Sequence, residues 1–188
     1  VYLGPYCSGY LERNEIYNNQ AAAEPGVGHS GMGGGIYCEN EDIHIIDNNI
    51  HNNIAAVDGL GKGGGIYGDG YIYNNQIESN RASIHKTGAG GGVYSATDSS
   101  ILYNIINENV ASVNQKGNGG GIYVYQHFYA AFNQITKNSA TRGGGMYLTQ
   151  YSRGLAQYNE VHNNEATGTD EGSEDHGGGI WTGGDEID

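Results

Sequence analysis

The chain has 188 residues, of which 34 are glycine and only 2 proline. Collagen needs glycine at every third position and abundant proline, so it is excluded, while 16 tyrosines and a 37% hydrophobic share argue for a packed fold rather than disorder. Twenty-one acidic against 8 basic residues give a net charge of −13, which makes nucleic acid and anionic lipid unexpected partners. No apolar run approaches the ~18 residues of a spanning helix, so no membrane insertion is expected.

Two motifs alternate along the chain. The first predicted strand is Val1-Tyr2-Leu3, and Asn14–Ala21 follows it. The pair then recurs as Gly33–Tyr37 with Asn48–Ala55, Gly63–Tyr67 with Asn75–Ala82, and Gly90–Tyr94 with Asn104–Ala111. Gly119–Tyr123 with Asn133–Ala140, Gly143–Tyr147 with Asn159–Ala166, and Gly177–Trp181 complete the series. One motif is a glycine triplet followed by an apolar and an aromatic residue. The other is Asn-x-Ile/Val-x-x-Asn-x-Ala. Successive triplets lie 30, 27, 29, 24 and 34 residues apart, and most of the variation falls between the alanine and the next triplet. A regular unit with one loop of free length is the mark of a solenoid. Glycine triplets break helices, and the residues in register are β-formers such as Ile-Tyr and Ile-His-Ile-Ile. The predicted fold is therefore all-β: a single parallel β-helix domain over residues 1–188, with about six coils of 24–34 residues and three short strands per coil.

The segment GGGIYCENEDIHIIDNNIHNNIA at Gly33–Ala55 resembles the right-handed parallel β-helix repeat proteins of the pectin-lyase-like superfamily. The resemblance covers essentially the whole chain. It implies the right-handed single-stranded β-helix. It leaves function open, because that superfamily includes lyases, hydrolases, epimerases, adhesins and tailspikes.

Alternation along a strand assigns each column a side. Val1, Ile36, Ile66, Val93, Ile122, Met146 and Ile180 face the core. The aromatics that follow them, Tyr2, Tyr37, Tyr67, Tyr94, Tyr123, Tyr147 and Trp181, face out as a stripe about 29 Å long at the strand spacing of about 4.8 Å. Ring-on-ring protection of a sheet, a platform for sugar rings and a contact for a partner chain are the competing roles of this stripe. Ile16, Ile50, Ile77, Ile106, Ile135 and Val161 are core, as are Ala21, Ala55, Ala82, Ala111, Ala140 and Ala166. Asn19, Asn53, Asn80, Asn109, Asn138 and Asn164 stand at a bend, where asparagine tolerates the left-handed conformation, and they form a predicted structural ladder along the axis.

Residues for chemistry are harder to find. The bases are dispersed over the coils. Glu39, Glu41 and Asp42, and Asp69 with Glu78, are acid groups that read as solvated carboxylates or as the paired acids of a hydrolase. Asp170, Glu171, Glu174 and Asp175 form the densest acidic loop, a candidate Ca²⁺ site or a solvated loop. No cofactor is expected beyond that Ca²⁺. His51 and His162 share a column without zinc-ligand spacing, and Cys7 and Cys38 read as buried thiols. No catalytic residue is assigned. Val1-Tyr2 and Ile180-Trp181 fall at the same phase of the repeat, so either the chain is cut from a longer solenoid or copies stack head to tail. The expected function is a non-catalytic extracellular or cell-surface β-solenoid, a stalk or self-assembling filament subunit. A carbohydrate-binding module, or a polysaccharide lyase or hydrolase, is the alternative. The expected partners are further copies through the solenoid ends, with polysaccharide second.

Overall fold

The computed structural model describes residues 1–22, 29–168 and 177–183. Among them every paired strand runs parallel to its neighbours, and no helix is present. The strands stack into a β-solenoid of about five turns, close to the six that the repeats predict. Five sheets run along its length, one of seven strands, three of six and one of four. A complete coil therefore holds five short strands rather than three. The second coil shows them as Ile36–Cys38, Ile43–Ile46, Asn49–His51, Ile54–Ala56 and Gly61–Lys62. We number the sheets one to five in that order.

Three of these strands are separated by single left-handed residues. Asp47 has φ 56° and Asn52 has φ 55°, and each directly precedes a motif asparagine, Asn48 or Asn53. The same holds in every coil: twelve non-glycine residues lie at φ 52–58°. The bend was expected at the asparagine itself. It falls one residue earlier because the asparagine must keep an ordinary φ to turn its side chain inward. Arg13, Ser79, Glu108, Lys137 and the aromatic Tyr103, Phe132 and Tyr158 hold this conformation despite their Cβ atoms.

The core is made of flat layers, one per coil. Ile36, Ile45, Ile50 and Ala55 are fully buried in one layer, and Ile66, Ile72, Ile77 and Ala82 in the next. Equivalent apolar residues stack because the pairing is in register, Ile66 between Ile36 and Val93, and Ile77 between Ile50 and Ile106. The outermost layers differ. Val1 and Ile180 are about half exposed and Ala21 is exposed, since among the described residues a coil covers each of them on one side only.

The triplets have two physical requirements. The first glycine sits at φ +60° to +66° in five coils, as at Gly63. The second lies against backbone on both sides: a Cβ on Gly64 would stand 2.4 Å from the Arg81 carbonyl carbon and 2.4 Å from the Gly91 oxygen. Glycine is required there by close approach as well as by dihedral.

Candidate functional site

The residues after the triplets form one unbroken aromatic stack on the outer side of sheet one. Register pairs Tyr2, Tyr37, Tyr67, Tyr94, Tyr123, Tyr147 and Trp181 in sequence. Their ring centroids are 4.5–5.2 Å apart and their planes lie within 16° of parallel. Each ring from Tyr37 to Tyr147 thus has both faces engaged by its neighbours. Only ring edges and hydroxyls point away from the sheet.

The stack is not evenly exposed. Tyr2 is 69% exposed, but Tyr94, Tyr123 and Tyr147 retain only 6%, 8% and 1%. Loops between sheets one and two rise beside them, and sheet five flanks the other side. The two walls enclose a cleft of about 510 Å³ floored by the tyrosines, with Lys62 and Ala89 on one wall and Thr97, Gln126 and Gln150 on the other. The second wall is held by hydrogen bonds. Asp69 accepts from the Ala96 and Thr97 backbone N–H groups at 3.0 and 2.6 Å and from the Thr97 hydroxyl at 2.8 Å. The Thr149 hydroxyl donates to the Tyr125 carbonyl at 2.7 Å. Burial is the main cause that pushes the phenols of Tyr37, Tyr67, Tyr94 and Tyr123 above their ordinary pKa. For Tyr37 a hydrogen bond to the Glu39 carboxylate adds to it. Lys62 Nζ lies 5.1 Å from the Tyr94 ring centroid.

The asparagines form two ladders. In one, Asn19, Asn53, Asn80, Asn109, Asn138 and Asn164 are linked, each donating its Nδ2–H and its backbone N–H to the Oδ1 of the next at 2.9–3.1 Å. A second ladder, through Asn14, Asn48, Asn75, Asn104, Asn133 and Asn159, has the same bonds at 2.8–3.0 Å. Sequence reasoning missed the second, although the repetition of Asn14 and its equivalents was the available signal. The remaining Nδ2–H of Asn80 donates to the Ile50 carbonyl of the preceding coil at 2.9 Å, and those of its equivalents do likewise. Both ladders carry the same polarity, with donors pointing toward higher coil number.

The acids and histidines are scattered. Asp69 is buried and bound to the Ala96–Thr97 turn as described. Glu39 meets Tyr37, whereas Glu41 and Asp42 are exposed. His51 faces Glu15 at 3.4 Å and His162 faces Glu160 at 3.2 Å, so the shared column does not bring the histidines together. On sheet two a shallow groove of about 500 Å³ is lined by Tyr71, Ser100 and Tyr129, with Asp98, His127 and Arg153 in register at its margin. His127 Nδ1 lies 3.5 Å from Asp98. The sequence hid this column because the loop before Arg153 is two residues longer than those before Asp98 and His127. Cys38 is buried, its thiol pushed up in pKa by burial, but Cys7 is exposed, contrary to the expectation of two buried thiols. Cys7 lies in the turn after the first strand, outside the repeat register, so no layer encloses it.

The acidic candidates Asp170, Glu171, Glu174 and Asp175 lie outside the described residues. Among the described residues, no three His, Cys, Asp or Glu side chains are grouped to hold a metal ion. No protein-family model matches the chain, and no curated protein or solved structure matches it.

Proposed function

We propose that this chain is a structural solenoid: a rigid axial element of a surface stalk or filament that extends by coil-on-coil stacking, as the resemblance to β-helices of the pectin-lyase-like superfamily also suggests. The observation that carries this role is the polarity of the two asparagine ladders. One face of the stack presents Oδ1 of Asn14 and Asn19, and the opposite face presents the amide groups of Asn159 and Asn164. Acceptors on one face and donors on the other make any coil complementary to the next, whether the next coil belongs to the same chain or to another copy. Such a heterologous contact does not close and grows a fibre. The continuous aromatic stack adds to the rigidity. Sedimentation and electron microscopy of the purified chain across a concentration series test the self-stacking form. Filaments of one coil width are expected; dispersed monomers at the highest concentration would overturn it.

A second role, binding of a glycan segment, is favoured by the cleft above the tyrosines. Because the inner ring faces are engaged, its contacts would be hydrogen bonds from hydroxyls and from Thr97, Gln126 and Gln150 rather than ring stacking. A glycan panel read by calorimetry, with Gln126→Ala as control, tests it. No binding heat across neutral and acidic glycans would overturn it.

A further inference from the structure

We propose that the aromatic stack is a path for one-electron oxidation, carrying an oxidising equivalent from Trp181 to a proton-coupled trap at Tyr37 and Glu39. The geometry has three parts. First, the rings are oxidisable without interruption: Trp181, Tyr147, Tyr123, Tyr94, Tyr67 and Tyr37 follow one another with no aliphatic gap, at 4.5, 5.2, 4.7, 5.1 and 5.0 Å between centroids. Their near-parallel planes place π systems face to face, the arrangement in which an electron crosses each step directly between neighbouring rings. Second, the central rings are shielded. Tyr94, Tyr123 and Tyr147 are buried, which limits loss of the charge to solvent on the way. Third, the rings differ in their charged neighbours. Arg142 lies 5.8 Å from the Trp181 ring and Lys62 5.1 Å from the Tyr94 ring, and both cations disfavour a positive charge resting there. The Tyr37 hydroxyl donates to the Glu39 carboxylate, so this phenol has a base in place.

An external one-electron oxidant removes an electron from the Trp181 indole, and its Nε1 proton passes to water. An electron then moves from Tyr37 through the stack to the indolyl radical, which regains a proton from water. Tyr37 is left as a neutral phenoxyl radical and its hydroxyl proton resides on Glu39. The net change is one electron from Tyr37 to the external oxidant and one proton from Tyr37 to Glu39; Trp181 returns to its starting state, and no bond between heavy atoms is formed or broken.

Because Trp181 is the only tryptophan, its radical gives a unique optical signal. Pulse radiolysis with the azide radical, which oxidises indole in preference to phenol near neutral pH, supplies the oxidant. The indolyl absorbance is expected to decay into phenoxyl absorbance at a rate independent of protein concentration, and a nitroso spin trap followed by peptide mass spectrometry is expected to mark Tyr37. The double variant Tyr94→Phe/Tyr123→Phe keeps the ring packing but removes two oxidisable phenols, and it should slow the transfer by about tenfold or more, equivalent to ~1.4 kcal/mol of barrier per factor of ten. Glu39→Gln should shift the trapped radical away from Tyr37. A decay that scales with protein concentration in the unmodified chain, or a spin-trap mark confined to the exposed Tyr6 and Tyr158, would overturn the proposal without recourse to any variant. An unchanged rate in a folded double variant would overturn it as well.

Discussion

Asn80 donates both its backbone N–H and its Nδ2–H to one atom, Oδ1 of Asn109, at 3.0 Å each. Its own Oδ1 receives the same pair from Asn53, and it has no solvent exposure. The side chain is thus a bridge among three coils. Asn80→Ala removes an acceptor from two buried donors of Asn53 and a donor from the Ile50 carbonyl. Each buried group left without a partner costs about 1–3 kcal/mol, so the variant should lose about 3 kcal/mol or more. Asn19→Ala, at the exposed end of the ladder, should lose about 1 kcal/mol. Denaturant titration of both variants checks the contrast. Equal losses would mean that the ladder carries little of the stability.

A triplet glycine should be irreplaceable only where coils pack against it on both sides. A Cβ on Gly91 would stand 2.4 Å from the Gly120 oxygen and 2.5 Å from the Val110 carbonyl carbon. Neither is the end of a flexible side chain, so Gly91→Ala must separate two coils. The expected loss exceeds about 4 kcal/mol, the range reserved for severe core disruption. Gly179, the third glycine of its triplet, meets only Val161 Cγ1 at 3.7 Å. Gly179→Ala should fall within about 0.5 kcal/mol of the unmodified chain. Thermal melts of the two variants decide the matter.

The repeat made the sheet direction, the core columns and one asparagine ladder legible, because all three depend on a residue returning once per coil. Ile77 stacks between Ile50 and Ile106 for that reason alone. Two other features depend on what does not repeat. The covering of Tyr94 and Tyr123 comes from loops around Thr97, Gln126 and Gln150, whose lengths and residues differ from coil to coil. The position of the left-handed residue was hidden for the opposite reason. Its column tolerates Arg13, Asp47, Asn74, Tyr103, Phe132 and Tyr158 alike, so residue type carries no signal of the backbone strain. The bend is imposed by the asparagine that follows.

That strain can be relieved. Lys137 sits at φ 52°, a conformation that costs an L-residue about 1–2 kcal/mol. Its ammonium meets Glu108 at 3.4 Å in an exposed pair, which contributes little. Lys137→Gly removes the Cβ conflict and loses ~0.5–1 kcal/mol through added freedom of the unfolded chain. The net expectation is a gain of about 0.5 kcal/mol, read as a small rise in Tm. The same substitution at Thr136, in a strand and buried, should destabilise instead. A fall in Tm for Lys137→Gly would show that the side chain contributes more than the backbone strain removes.

Alkali should unfold the chain through its tyrosine stack. Burial holds the phenols of Tyr94, Tyr123, Tyr37 and Tyr67 above their ordinary pKa, near 10 in an unfolded chain. Between those values the folded state keeps protons that the unfolded state releases, so stability falls as pH rises. Below about pH 10 both states hold the proton and these groups contribute no pH dependence. Melts recorded from pH 8 to pH 12 should therefore show a Tm that is insensitive to these phenols at first and declines beyond about pH 10. Phenolate absorbance should show a step that coincides with loss of the β-sheet circular dichroism. The double variant Tyr94→Phe/Tyr123→Phe, which retains the rings but lacks two of the four hydroxyls, should decline less steeply. A phenolate titration complete while the sheet signal is intact would show that the rings open to solvent without unfolding and that their burial does not couple to the fold.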